Sequence, residues 1–274
     1  TSKLEYISDK FSVLLFKTLS NLDVGSKRFL TNKVDRSVTG LIAQQQCVGP
    51  FHIPISDYGL ISSSYFSDNF NIYSGCVTAI GEQPIVGLID SEAMVEKTFA
   101  EALLNIVWVY IRDIQTIKMS ANWMWPCPNT DPKEGYKMYK AMLKLNYLMK
   151  FFGVCADGNK DSLSMKVKHK KDFIKSPGSL VLTMYCSCPD ISKKVTPYIK
   201  NYGTKLFFVD LSENNLAMGN SKILKNVIID DVPKIRNNQK LLNTFNLIQR
   251  YVRNGKITAG HDKSDGGLIT TLCE

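Results

Sequence analysis

The chain has 274 residues, 44% of them hydrophobic, with a formal net charge of +9. That suffices to bury a core as one large domain or two smaller ones, and no apolar run approaches the ~20 residues that span a bilayer. TSKLEYISDK lacks signal-peptide architecture, seven cysteines show no disulfide-framework spacing, and three scattered histidines form no ligand pairs with them; a reduced, cytoplasmic chain without structural zinc is expected.

In chain order, residues 1–26 are expected to be a linker and helix inherited from a preceding domain. Residues 27–33 and 36–48 carry β-branched and apolar positions and are expected as strands. FHIPISDYGLIS follows with period-two alternation, placing Ile53, Ile55 and Asp57 on one face and Ser56, Tyr58 and Leu60 on the other. GCVTAIGEQPIVGLID supplies a strand, a turn and a second apolar run. A long apolar helix is expected over 90–113, capped by Asp90 or Ser91. KMSANWMWPCPN is read as strand into loop, and a second helix runs over 134–152 to a stop at Gly153.

ADGNKDSLSM is expected as a turn after that helix. The lysine-rich run from Lys166 to Lys175, before the turn SPGS, has the look of an exposed hairpin, either a solvated face or a surface for an acidic ligand. It has no aromatic-interleaved basic motif, so no nucleic-acid partner is expected. GSLVLTMYCSCPD is a further strand, on which Cys186 and Cys188 are expected to point to opposite faces. A boundary is expected across residues 189–204, dividing a unit over 27–200 from one over 201–274. The second unit holds a strand at KLFFVDL, a polar loop at SENNLAMGNSK, a helix at NQKLLNTFNLIQRYVRN, a short strand at Ile257–Ala259 and a terminal helix at LITTLCE. The chain stops barely a turn into that last helix and is expected to be a piece of something longer. The alternation of elements argues an α/β (α+β) fold, a mixed sheet covered by apolar helices.

Chemistry concentrates in AGHDKSDGGL. Glycines at a strand-to-helix turn let backbone N–H groups approach an anion, and two carboxylates in the same turn call for a divalent cation between them and a phosphate. Glu101 and Asn105, four apart in the long helix, share one face. They are either a hydrogen-bonded or solvent-facing pair, or half of an all-oxygen magnesium site completed by Asp57 and Asp262. GNKDS lacks Walker spacing and is either a surface turn or a phosphate contact. QQQ before Cys47 must bury at least one amide, Cys47 and His52 have no orienting partner, and the tryptophans of ANWMWP suit packing.

VDRSVTGLIAQQQCVGP, GEQPI, EALLN, SANWMW, GNKDSLSM, PGSLV, CPD and GHDKSDGGL occur in this order, and with them the chain resembles the large, single-chain type of phosphoribosylformylglycinamidine synthase from about Lys27 to Glu274. The resemblance implies the second copy of a duplicated synthetase core: an amino-terminal-type subdomain, half of a shared β-barrel, and the start of its carboxy-terminal-type partner. It implies an ATP-dependent ligase that makes an amidine from formylglycinamide ribonucleotide and glutamine, with a glutaminase domain and a first synthetase copy elsewhere in the same protein. It further implies nucleotide (ATP or ADP) contacts at Lys27, Ser56 and Ser264, and Mg²⁺ ligands at Asp57, Glu101, Asn105 and Asp262. The chain departs from the family's pattern at Asn159 and over MGNSKILKN. The competing expectation is a non-catalytic scaffold or partner-binding descendant of the same fold.

Overall fold

The computed structural model describes residues 11–31, 33, 36, 38, 40–63, 73–129, 131–213, 217–219, 221–222 and 231–274. Residues 1–10, parts of the 36–48 segment and parts of the SENNLAMGNSK loop therefore lie outside the described residues.

One mixed sheet organises the molecule. Strands β1 (Ile42–Gln44), β2 (Gly59–Ser62), β3 (Gly75–Glu82), β4 (Lys118–Met124), β5 (Cys155–Ser162) and β8 (Ser179–Cys188) are ordered β1-β2-β3-β8-β4-β5. Every neighbouring pair is antiparallel except β4 and β5, which run parallel across the crossover helix α5 (Pro132–Phe152). Helix α4 (Ser91–Ile106) packs on β3 and β8, and α5 packs on α4. The core lies between sheet and helices, with Met94, Phe99, Leu103, Ile106, Met119, Leu180 and Leu182 essentially inaccessible. At Gly81 a Cβ would stand 2.2 Å from the Thr98 carbonyl oxygen, so the close seat of α4 on β3 needs a residue without a side chain.

Local signals explain the helices that form, although α4 ends at Ile106 and not at 113 as expected, because the backbone of residues 107–111 leaves the helix and bonds to Gln249. Asp90 caps α4, its carboxylate accepting the Glu92 and Ala93 N–H groups at 2.9 and 3.0 Å. Asp131 caps α5 ahead of Pro132, and Gly153 ends it at φ 69°, the left-handed conformation glycine adopts without strain. Asn237 caps α6 (Asn238–Arg253) by accepting from the Lys240 N–H at 2.9 Å. Helices α1 (Phe11–Leu19) and α7 (Gly267–Cys273) also form where the sequence suggested helix.

Several expectations are corrected. Residues 27–33 hold a single helical turn, α2 (Arg28–Thr31), because the Lys27 carbonyl accepts the Leu30 and Thr31 N–H groups. Among the described residues of 36–48, β1 is the strand, and Cys47 adds an isolated antiparallel bridge to Ile55. GNKDS is no turn: it lies in β5, an edge strand whose polar side chains are tolerated because the ladder to β4 is made by backbone. The basic hairpin exists as β6 (Lys166–His169) and β7 (Asp172–Lys175), but it turns at Lys170 (φ 54°) instead of at Pro177-Gly178. Cys186 and Cys188 are both buried with Ser187 exposed between them, since residues two apart in a strand share a face. KLFFVDL and Ile257–Ala259 pair with no strand among the described residues, and Phe207 is 86% exposed. Short apolar runs cannot form ladders without a partner edge.

Candidate functional site

The loop entering β2 carries Asp57, and the segment before α7 carries His261 and Asp262. The structure brings all three together. His261 Nδ1 stands 2.7 Å from Asp57 Oδ1 and 3.4 Å from Asp262 Oδ1, while its Nε2 lies 2.9 Å from Glu274 Oε2. The Asp57 and Asp262 side chains are only 5% and 8% exposed. The Nδ1 contact to Asp57 is close but not aligned as a hydrogen bond, so it acts as an ion contact.

Two hydrogen bonds to backbone carbonyls position this cluster. Tyr58 Oη, buried beside Asp57, donates to the Val195 carbonyl at 2.8 Å, and Gly260 N–H donates to the Thr196 carbonyl at 3.1 Å. Both carboxylate-bearing segments are thus hung on the same short stretch after β8.

Electrostatics follow from burial. Asp262 is pushed up to about 7, first by burial, then by the charge of Asp57, with His261 opposing and Glu101 adding to the rise. Burial likewise raises Asp57 against the pull of His261. For His261, burial favours the neutral ring, but the contacts to Asp57 and Glu274 and the charge of Asp262 outweigh it and hold the ring protonated, at about 10.

Glu101 and Asn105 reach from α4 to the end of β3. Glu101 Oε2 accepts from the Glu82 N–H at 2.8 Å and from Gln83 Nε2 at 3.0 Å. Asn105 Nδ2 donates to the Ile80 carbonyl at 2.9 Å, leaving its Oδ1 buried without a hydrogen-bond partner. Burial raises the Glu101 carboxyl, opposed by its hydrogen bonds and by Lys97 one turn earlier. The pair is therefore hydrogen-bonded to β3, yet Glu101 is felt electrostatically at Asp262.

The three expected nucleotide residues do not join this cluster. Lys27 Nζ donates to the Gly25 carbonyl on the surface, Ser56 Oγ donates to the Tyr58 carbonyl at 2.8 Å, and the exposed Ser264 contributes its carbonyl to the Gly267 N–H at 3.0 Å. Sequence reasoning passed over His261 and Glu274 as members of the cluster. The signal for the first was its place directly before Asp262; Glu274 carried none. His52 stands 3.1 Å from an Arg36 guanidinium nitrogen, away from any nucleophilic role with Cys47.

The donors present suit a hard cation. Asp57 and Asp262 are buried carboxylates that repel each other, with Glu101 within electrostatic reach; oxygen donors of this kind favour Mg²⁺ over softer metals. One oxygen each of Asp57 and Asp262 and one nitrogen of His261 lie within 4.8 Å of one another.

Residues 26–187 match the model of the FGAR-AT PurM_N-like domain, and the chain belongs to that family. Its curated relatives are phosphoribosylformylglycinamidine synthases. That of Dictyostelium discoideum is 44% identical over 274 residues, covering 96% of this chain and 20% of the relative. That of Drosophila melanogaster is 44% identical over 266 residues (95% and 19%), and that of Homo sapiens 38% over 255 residues (92% and 18%). The chain spans about a fifth of the length of the curated relatives it matches.

Proposed function

We propose that this chain is the nucleotide- and magnesium-binding part of a phosphoribosylformylglycinamidine synthase, an ATP-dependent amidine-forming ligase of purine biosynthesis. The complete protein would convert formylglycinamide ribonucleotide, glutamine and ATP to the amidine, glutamate, ADP and phosphate. A glutaminase domain and a first synthetase copy would be supplied by the same cytoplasmic protein. Among the described residues no helix is long and apolar enough to cross a membrane. Within the chain, 1–26 would be a lead-in, 27–200 the amino-terminal-type subdomain and 201–274 the start of its partner.

One observation carries this reading: Asp57 and Asp262, 205 positions apart, meet in a buried cluster with Glu101 in electrostatic reach. Asp57, Glu101, Asn105 and Asp262 would hold Mg²⁺; when bound, it supplies neutralisation of the nucleotide's phosphate charge. Lys27, Ser56 and Ser264 would contact the nucleotide. His261 has a distinct part. Its imidazolium already neutralises Asp57 and Asp262, so ring and cation compete for the same carboxylate oxygens. Glu274 gives the protonated ring a second acceptor when it releases Asp57.

Calorimetric titration with Mg²⁺-ADP tests the reading, beside a Glu101→Ala, Asp262→Ala double variant. Magnesium-dependent binding that disappears in the folded variant is expected. Binding that ignores magnesium, or survives in the variant, would overturn it.

A further inference from the structure

Between β1 and the stretch after β8 lies an open cavity of about 460 Å³, a size suited to a small ligand. Its walls are β1 with the residues following it, and the stretch after β8. Five of its side chains matter chemically: Gln45, Lys194, Thr196, Tyr198 and Lys200.

The cavity is electrostatically unbalanced. It contains two lysines and no carboxylate, and among the described residues neither Lys194 nor Lys200 forms an ion pair. Lys194 is half-buried, its Nζ donating to the Ala43 carbonyl, which leaves two ammonium protons for the cavity. Burial lowers its pKa, a nearby thiol at Cys188 opposes this, and Lys200 repels it further. Lys200 is exposed at the rim, so it is the half-buried Lys194 whose charge lacks a counter-ion, and an anion in the cavity would supply one.

The remaining groups define which anion. Hydroxyls of Thr196 and Tyr198 and the two ammonium groups are dispersed point donors, and the cavity offers no planar guanidinium fork of the kind that grips a carboxylate. Gln45 Oε1 is buried with no hydrogen-bond partner, an acceptor awaiting an O–H or N–H. The walls are fixed by backbone: Ser56 N–H to the Gln46 carbonyl at 2.8 Å, Val48 N–H to the Pro54 carbonyl at 3.0 Å and Val195 N–H to the Trp108 carbonyl at 2.8 Å.

We infer that this cavity is an anion site for a small phosphate monoester, its phosphate held by Lys194, Lys200, Thr196 and Tyr198 and a ligand hydroxyl by Gln45. This goes beyond the nucleotide reading and does not depend on it, because no residue of the carboxylate cluster lines the cavity. The two sites share a wall. Val195, between Lys194 and Thr196, is the residue that anchors Tyr58 beside Asp57.

The test is titration of this chain with glycerol 1-phosphate and with inorganic phosphate in magnesium-free buffer, followed by NMR, with acetate as the planar control. Saturable shifts at Thr196 and Tyr198, stronger for glycerol 1-phosphate than for phosphate and absent for acetate, are expected. Lys194→Met should weaken binding by about tenfold or more, the loss of one charged hydrogen bond, and Lys194→Arg should restore part of it. Asp262→Asn should leave it unchanged. Should Lys194→Met fail to fold, Lys200→Gln carries the same expectation. No saturable binding, binding unaffected by either lysine variant, or binding strengthened by Asp262→Asn would each overturn the assignment; the last would place the anion beside His261, where the Asp262 charge repels it.

Discussion

Gln249 of α6 is a buried amide that makes three hydrogen bonds to backbone. Its Oε1 accepts the Ile111 N–H at 2.8 Å, and its Nε2 donates to the carbonyls of Val107 and Val109 at 2.7 and 2.9 Å. Those three residues follow α4, are at most 2% exposed and have left the helical ladder, so the side chain substitutes for the missing turn. Gln249→Met keeps the volume and shape but strands one buried N–H and takes a donor from two buried carbonyls. At about 1–3 kcal/mol for each group left unsatisfied, tempered by the tolerance of carbonyls with a second lone pair, the loss is roughly 3–6 kcal/mol. That is a large part of the stability of an ordinary domain, about 5–15 kcal/mol. Urea unfolding followed by far-UV circular dichroism measures it. With an m-value of about 3 kcal/mol per molar, the midpoint should fall by roughly 1–2 M. A fall below about 0.3 M with unchanged slope would refute the accounting, because the three backbone groups would then have found other partners.

Two further outcomes follow from the charged residues. Burial alone would raise the Asp90 carboxyl, but the Lys234 ammonium at 2.7 Å and the capped N–H groups of Ala93 and Glu92 outweigh it and hold its pKa low. Its stabilisation is therefore present above the ordinary carboxylate pKa and lost as pH falls through the lowered folded value. Asp90→Ala should cost about 1 kcal/mol near neutrality, and melting curves of wild type and variant should converge in acid; a constant gap would contradict the capping role. Asp262 is opposite in sign. A carboxyl raised to about 7 by burial and by Asp57 penalises folding increasingly as pH rises from its unfolded value to its folded one. Asp262→Asn should therefore raise the melting temperature in mildly alkaline buffer, with the difference vanishing in acid, while magnesium-dependent nucleotide binding is lost. A variant less stable than wild type in alkaline buffer would show the His261 contact to dominate.

Elements with their own punctuation were legible from sequence: α4, α5 and α6 each carry a capping side chain, and α5 ends on Gly153. Asp57 and Glu101 stood out because carboxylates among apolar neighbours need a reason to be there, and Asp262 because two carboxylates share its glycine-containing turn. What escaped reading depends on partners far away in the chain. ADGNKDS has turn composition, yet parallel pairing with β4 makes it a strand, while KLFFVDL has strand composition and no partner edge among the described residues. Cys186 and Cys188 were misjudged on a point that strand geometry alone decides. His261 was seen as part of a turn, and only the fold shows its ring between two carboxylates.

The Tyr58 hydroxyl bonds a carbonyl 137 positions further along, and Asp57 meets Asp262 only after 205 more residues have been added. At roughly 5–20 residues per second on the ribosome, Asp57 waits about 10–40 s for its partners. Sheet and helices can close in that interval, so the acidic cluster is finished on a scaffold already standing. Until then the Asp57 loop is open to free magnesium and to any chaperone that reads an unburied tyrosine. The order in which the chain is made thus closes the core before it completes the acidic cluster.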